Sequence, residues 1–193
     1  MSTPTSRFRL IPNNTATTAV DTAAKRLAAI AGESAKSTGE GNEVDFSTID
    51  ISGGAANSAV QTVLWDVTAN GGNTVVDTFK LWLSSNGFDM AGSVIKMIPL
   101  SGDDQGSPSD TENYIADAVI GSYTFANMPE SEPGSQNVYP SDEGSDMSIS
   151  GGASDDVIMW AMYAAIASGE TTGTYKGTDS DMELQHSFKY SYS

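Results

Sequence analysis

Gln61-Thr-Val-Leu-Trp-Asp-Val-Thr-Ala69, the break Asn70-Gly-Gly-Asn73 and the run Val75-Val-Asp-Thr-Phe-Lys-Leu-Trp-Leu83 decide the fold class. In the first run Val63, Trp65 and Val67 share one face and Thr62 and Asp66 the other, the period of two that belongs to strands. The second run sets Val75, Phe79, Leu81 and Leu83 against Asp77 and Lys80. The break supplies residues that tolerate positive φ, so the two runs are expected to pair as a β-hairpin.

The same period extends in both directions. Upstream, Val44, Phe46, Ile49 and Ile51 open a strand region; downstream, Asn86-Gly87 marks a turn before Val94-Ile-Lys-Met-Ile98. Residues 101–113 read as a polar loop, and Ile120-Gly-Ser-Tyr-Thr-Phe125 as a further strand. Residues 127–156 are rich in Pro, Ser, Gly, Asp and Glu and are expected to form a long exposed excursion. Residues 157–166 are apolar on both faces, as a central strand between two layers would be, and strand is favoured over a core helix. A second hairpin signal, Thr171-Thr-Gly-Thr-Tyr-Lys-Gly177, precedes a tail in which Leu184, His186, Phe188, Tyr190 and Tyr192 alternate with polar residues. Ile-Ser-Gly-Gly-Ala occurs at 51–55 and again at 149–153, which suggests two similar turn-strand units in related places in two sheets, unless the echo is chance.

The fold class expected is all-β: an antiparallel β-sandwich or jelly-roll-like barrel of about eight strands. Trp65, Phe79, Trp82, Trp160 and Phe188 are its large core fillers. The body is placed at residues 43–193, behind an N-terminal arm at 1–42 that ends in the linker Ser37-Thr-Gly-Glu-Gly-Asn42. Within the arm Val20, Ala23, Ala24, Leu27, Ala28 and Ala31 recur at helical spacing, giving a short helix whose shallow face needs packing to be ordered.

Charge divides the chain the same way. The net charge is −16, but residues 1–36 carry +3 and residues 37–193 carry −19. Between Lys96 and Lys176 there are 13 acidic residues and no basic one, so the body repels nucleic acid. No stretch approaches the roughly 20 apolar residues of a membrane span, and the N-terminus lacks a signal-peptide core, so synthesis in the cytoplasm and no membrane association are expected.

Little of the residue inventory is catalytic. There is no cysteine and a single histidine, His186, placed among alternating aromatics where packing is its ordinary role. The Gly-Gly pairs at 53–54, 71–72 and 151–152 act as turns, and no phosphate-binding loop occurs. No enzyme activity, catalytic residue or cofactor is expected. Asp103-Asp104, Asp155-Asp156 and above all Asp179, Asp181 and Glu183 are weak calcium candidates. The last set departs from the EF-hand pattern, because its sixth and twelfth positions hold Leu184 and Tyr190.

In layout the chain resembles accessory virion proteins of tailed bacteriophages. The resemblance lies in the extended N-terminal segment, the β domain and the closing strand Leu184-Gln-His-Ser-Phe-Lys-Tyr-Ser-Tyr192, together with Asp77-Thr-Phe-Lys-Leu-Trp-Leu-Ser-Ser-Asn-Gly-Phe88. It implies a capsid decoration or cement protein whose partners are the major capsid protein or other virion proteins, located in the virion and forming a homo-oligomer, with a trimer favoured. The arm would supply Arg7, Phe8, Arg9, Leu10, Ile11, Lys25 and Arg26 as partner-binding residues, attracted to acidic patches on the shell. The rival roles are a tail, baseplate or fibre component, and a carbohydrate-binding module in which Trp82 or Tyr139 stacks on sugar rings.

Overall fold

The computed structural model of the protein describes residues 1–11, 44, 46–100, 124–140, 144–153, 157–175 and 182–193. The described residues contain nine strands: β1 (Thr5–Ile11), β2 (Ala56–Asn57), β3 (Gln61–Ala69), β4 (Val75–Asn86), β5 (Val94–Leu100), β6 (Ala126–Asn127), β7 (Asp146–Ser148), β8 (Ile158–Ile166) and β9 (Leu184–Tyr192). They form two antiparallel sheets. The larger has the order β1-β3-β8-β5-β6, with β2 also on β8, and the smaller has the order β7-β4-β9. The all-β class expected from the sequence is therefore observed. The short helix over residues 20–31, the loop at 101–113 and most of the strand expected at 120–125 lie outside the described residues.

The two runs that decide the fold class are strands, but they are not a hairpin. β3 belongs to the larger sheet and β4 to the smaller, so residues 70–74 form an arch between layers. The turn itself is as expected: Asn73 N–H donates to Asn70 O at 3.0 Å, and Gly71 and Gly72 have φ of 62° and 88°. Gly71 is needed for a second reason, since a Cβ there would lie 2.5 Å from Ser2 O. What the turn chemistry cannot specify is whether the strands pair or stack. Trp65 on β3 and Phe79 on β4 are both fully buried and meet edge to face at 5.9 Å, so the two apolar faces cover each other.

A bulge in β4 explains the irregular alternation there. Val76, Phe79, Leu81 and Leu83 are buried, and Asp77 and Thr78 fall between the first two. The pairing with β9 shifts between Asp77 and Lys80, and Thr78 takes a φ of 58°. For a β-branched residue this is a strained conformation. Thr78→Gly is expected to raise stability by about 1 kcal/mol, seen as a higher urea midpoint at unchanged slope; a drop would show that the bulge is held by the Thr78 hydroxyl's bond to Asp77.

Residues 157–166 form a central strand, as their composition suggests. Ile158, Trp160, Met162 and Ala164 join the core between the sheets, and Met159, Ala161 and Tyr163 on the opposite face are buried too. Leu64 and Thr62 of β3 share that second buried face. The repeated Ile-Ser-Gly-Gly-Ala is the same turn twice: Gly54 N–H donates to Ile51 O and Gly152 N–H to Ile149 O, each at 3.0 Å, with φ of 127° and 111° at the two glycines. The strands that follow, β3 and β8, are neighbours in one sheet rather than counterparts in two.

Three further expectations are corrected. Val44, Phe46 and Ile49 pack against the core but are in no strand, because they approach it as irregular chain. The signal at 171–177 is not a hairpin, since it leads from β8 in the larger sheet to β9 in the smaller. Residues 127–156 are not simply an exposed excursion, for Met128, Val138, Met147 and Ile149 are all buried. Residues 128–138 instead close one side of the molecule. Met128 N–H donates to Ile95 O in the larger sheet, Pro129 O accepts from Leu83 N–H in the smaller, and the Asn137 amide both accepts from Leu81 N–H and donates to Leu81 O at 2.8 Å. The side chain of Asn137 thus stands in for a strand partner along the edge of β4.

The N-terminal residues also belong to the body. β1 pairs with β3 over its whole length, from Thr5 opposite Ala69 to Ile11 opposite Thr62. Phe8 enters the core between the sheets, meeting Trp160 at 6.2 Å and Phe188 at 5.7 Å. An arm boundary at residue 42 therefore cuts a strand from its sheet.

Candidate functional site

Two polar centres are built into the described chain, and the first involves residues expected to bind a partner. β1 lays Arg7 opposite Asp66 of β3, and the guanidinium donates from Nε to both carboxylate oxygens at 2.8 and 3.0 Å and from Nη2 to one at 2.8 Å. Asp66 is 5% exposed and the Arg7 side chain 33%, so the pair is a charge-assisted fork with a buried carboxylate and a guanidinium partly open to solvent. Arg7 and Phe8 are thus both engaged by their own chain. Arg9, Leu10 and Ile11 continue the strand opposite Leu64, Val63 and Thr62, and Lys25 and Arg26 lie outside the described residues.

The second centre is Glu170, which follows β8 and is also 5% exposed. Its oxygens accept from Asp89 N–H at 2.7 Å, Met90 N–H at 3.2 Å and the Tyr175 hydroxyl at 2.7 Å. The Thr171 hydroxyl donates to Asp89, and the Ser93 hydroxyl accepts from Ala167 N–H at 3.0 Å. One carboxylate thereby ties the loop after β4 to the loop after β8. Burial by itself would raise the Glu170 pKa, but the hydrogen bonds from Ser93, Asp89, Tyr175 and Met90 outweigh it and hold the group below the ordinary carboxylate value. Burial and the same carboxylate push Tyr175 up to about 12. The sequence offered no signal for this centre, because an acid after a Ser-Gly turn is common and its donors are mostly backbone N–H groups about 80 residues away.

The depressed Glu170 fixes a pH dependence. Its contribution is complete above the unfolded carboxylate value of about 4.3 and is lost as pH falls through the lower folded value. His186 adds to acid loss from a higher pH, since burial lowers its pKa and the unfolded chain takes up a proton first, below about 6.5. Glu170→Ala is expected to cost about 2 kcal/mol at pH 7, by leaving buried donors unpaired. The same substitution should flatten the stability profile below pH 4, and urea unfolding at stepped pH checks both.

The outer face of the smaller sheet carries a third, exposed network. Glu132 accepts from Lys189 Nζ at 2.8 Å and Lys80 Nζ at 3.2 Å, and these two bonds, Lys189 first, hold its pKa below the ordinary value. Asn86 donates to Glu130 at 2.7 Å. Trp82 lies on this face between Lys80 and Ser84, which corrects its place among the core fillers: the bulge and alternation of β4 turn it outward. Tyr139 is 38% exposed and its hydroxyl donates to Gln136 O in its own loop.

Of the calcium candidates, Asp179 and Asp181 lie outside the described residues, as do Asp103, Asp104, Asp155 and Asp156, and Glu183 immediately precedes β9. His186 sits on the inward-facing side of β9 with Leu184 and Phe188. In comparisons with known proteins, no family model and no characterised protein matches the sequence.

Proposed function

We propose that this chain is a non-enzymatic structural component of a virus particle, a capsid decoration protein that binds the major capsid protein or other virion proteins and reinforces the shell. The observation that carries the reading is the use made of the buried ionisable groups: Asp66 fastens β1 to β3, and Glu170 fastens two connecting loops. Both carboxylates serve cohesion, which suits a body that must resist mechanical load. Connections that pass from one sheet to the other, β3 to β4, β4 to β5, β6 to β7, β7 to β8 and β8 to β9, support a jelly-roll-like form of sandwich.

With Arg7 and Phe8 engaged internally, attachment to the shell is assigned to the basic residues beyond β1, Lys25 and Arg26. The acidic body then faces outward, repelled by packaged nucleic acid. Many copies each make a weak contact, and the contacts sum over the shell.

Density-gradient fractionation of lysed source cultures, followed by mass spectrometry, tests the proposal. The chain should sediment with intact particles. Recovery only in the slowly sedimenting soluble fraction would contradict a virion role, and recovery with detached tails would move it to the tail.

A further inference from the structure

We propose that two copies of this chain join edge to edge, β1 against β1 and β9 against β9, so that each sheet continues from one copy into the other. The inference does not rest on the virion reading. It starts from an asymmetry between the two sides of the molecule. On one side the terminal strands are very short, two residues in β6 and three in β7, and the chain over 128–138 covers the edge of β4. Short strands and covering loops are how proteins blunt sheet edges. On the other side β1 has seven residues and β9 nine, and among the described residues β1 pairs only with β3 and β9 only with β4. Among the described residues each leaves a row of backbone donors and acceptors facing outward.

These two long edges lie side by side. Phe8 of β1 and Phe188 of β9 meet at 5.7 Å, and the Thr3 and Tyr192 hydroxyls are 3.2 Å apart. That placement restricts how copies can combine. Open edges on opposite sides would build rings or filaments, whereas two on the same side are satisfied together by one twofold axis normal to the sheets. Such an axis reverses strand direction, so both new pairings are antiparallel like every pairing within the chain. With the opposite side blunted, the assembly closes at two copies rather than three.

Charge selects the same surface. A chain of net charge −16 repels its own copies over most of its surface. β1 and β9 contain no Asp or Glu, yet they hold Arg7, Arg9 and Lys189, three of the nine basic residues. Arg7 and Lys189 are each matched by a carboxylate of the same copy, so the edges meet nearly neutral. The opposite side instead presents Asp146 on β7.

Light scattering on the full chain from micromolar to near-millimolar concentration, with hydrogen exchange at both ends of that range, tests the pairing. The mass should rise from 20.2 kDa to twice that value. Amides of β1 and β9 should exchange at least tenfold more slowly in the concentrated sample, with β3 and β8 unchanged. Ser187→Glu with Ser191→Glu, on the outward face of β9, should restore the monomer at an unchanged circular dichroism spectrum. A 20.2 kDa mass at every concentration, or a dimer whose β1 and β9 amides are no better protected, would overturn the proposal. Protection of these amides only when another protein is added would assign the edges to that partner and overturn self-pairing. If the double variant does not fold, exchange in the native chain decides.

Discussion

Removing residues 1–11 is expected to cost the fold about 4 kcal/mol and to send much of the product into aggregates. The magnitude follows from what β1 contributes. Asp66 is 5% exposed, and deleting Arg7 takes a two-pronged, charge-assisted contact from a buried carboxylate, a loss of about 1–3 kcal/mol with the guanidinium partly open to solvent. Phe8 leaves a gap against Trp160 and Phe188, and the loss of β1 opens the edge of β3. Urea unfolding followed by tryptophan fluorescence, together with the soluble yield, checks the result. An unchanged midpoint would show that residues 1–11 act as a separable arm. Arg7→Ala and Phe8→Ala, made singly, should each account for part of the loss.

The other large effect belongs to Trp65. It is fully buried on β3 of the larger sheet and meets three rings of the facing smaller sheet, Phe79 at 5.9 Å, Phe188 at 5.1 Å and Tyr190 at 4.7 Å. Trp65→Ala removes one of the two fully buried tryptophans of the interface between layers, at a cost of about 3–5 kcal/mol. Each lost ring pair contributes up to about 1 kcal/mol within that sum. Against a typical total of about 5–15 kcal/mol, that is a large share of the stability. Its near-ultraviolet circular dichroism should weaken, and its urea midpoint should fall by roughly 40%, about 4 of about 10 kcal/mol. Trp82→Ala, on the outer face of the smaller sheet, should cost about 1 kcal/mol or less. Equal losses at the two tryptophans would contradict the assignment of Trp65 to the core and Trp82 to the surface.

The sequence made the β class legible because alternation is a local property. Val63, Trp65 and Val67 on one face, or Leu184, Phe188 and Tyr190 on another, announce strands whatever lies beside them. β8 was legible too, since residues buried on both faces carry no polar alternation. Pairing was not legible. Asn70-Gly-Gly-Asn73 makes the same tight turn whether the flanking strands join one sheet or face each other across a core, and only the contact of Trp65 with Phe79 separates the two. The phase of β4 was hidden by one strained residue, Thr78, which moves Val76 inward in place of Val75.

The same limit applied to the polar centres. Arg7 read as an attachment residue because its partner Asp66 is 59 positions away, and its basic neighbours drew attention to an arm. Glu170 carried no signal at all, since it is recognised by the backbone of residues 89 and 90. The polar composition of residues 128–138 suggested exposure, whereas Asn137 uses its amide to finish a sheet edge.

In the proposed role this cohesive acidic body is fixed to the outside of a shell. Electron cryomicroscopy of gradient-purified particles that contain the chain tests it most directly. Two-layered β density should appear on the outer surface of the capsid, with Thr5–Ile11 traced inside the body as β1. Density confined to the tail, or particles whose shell surface lacks the chain altogether, would contradict it.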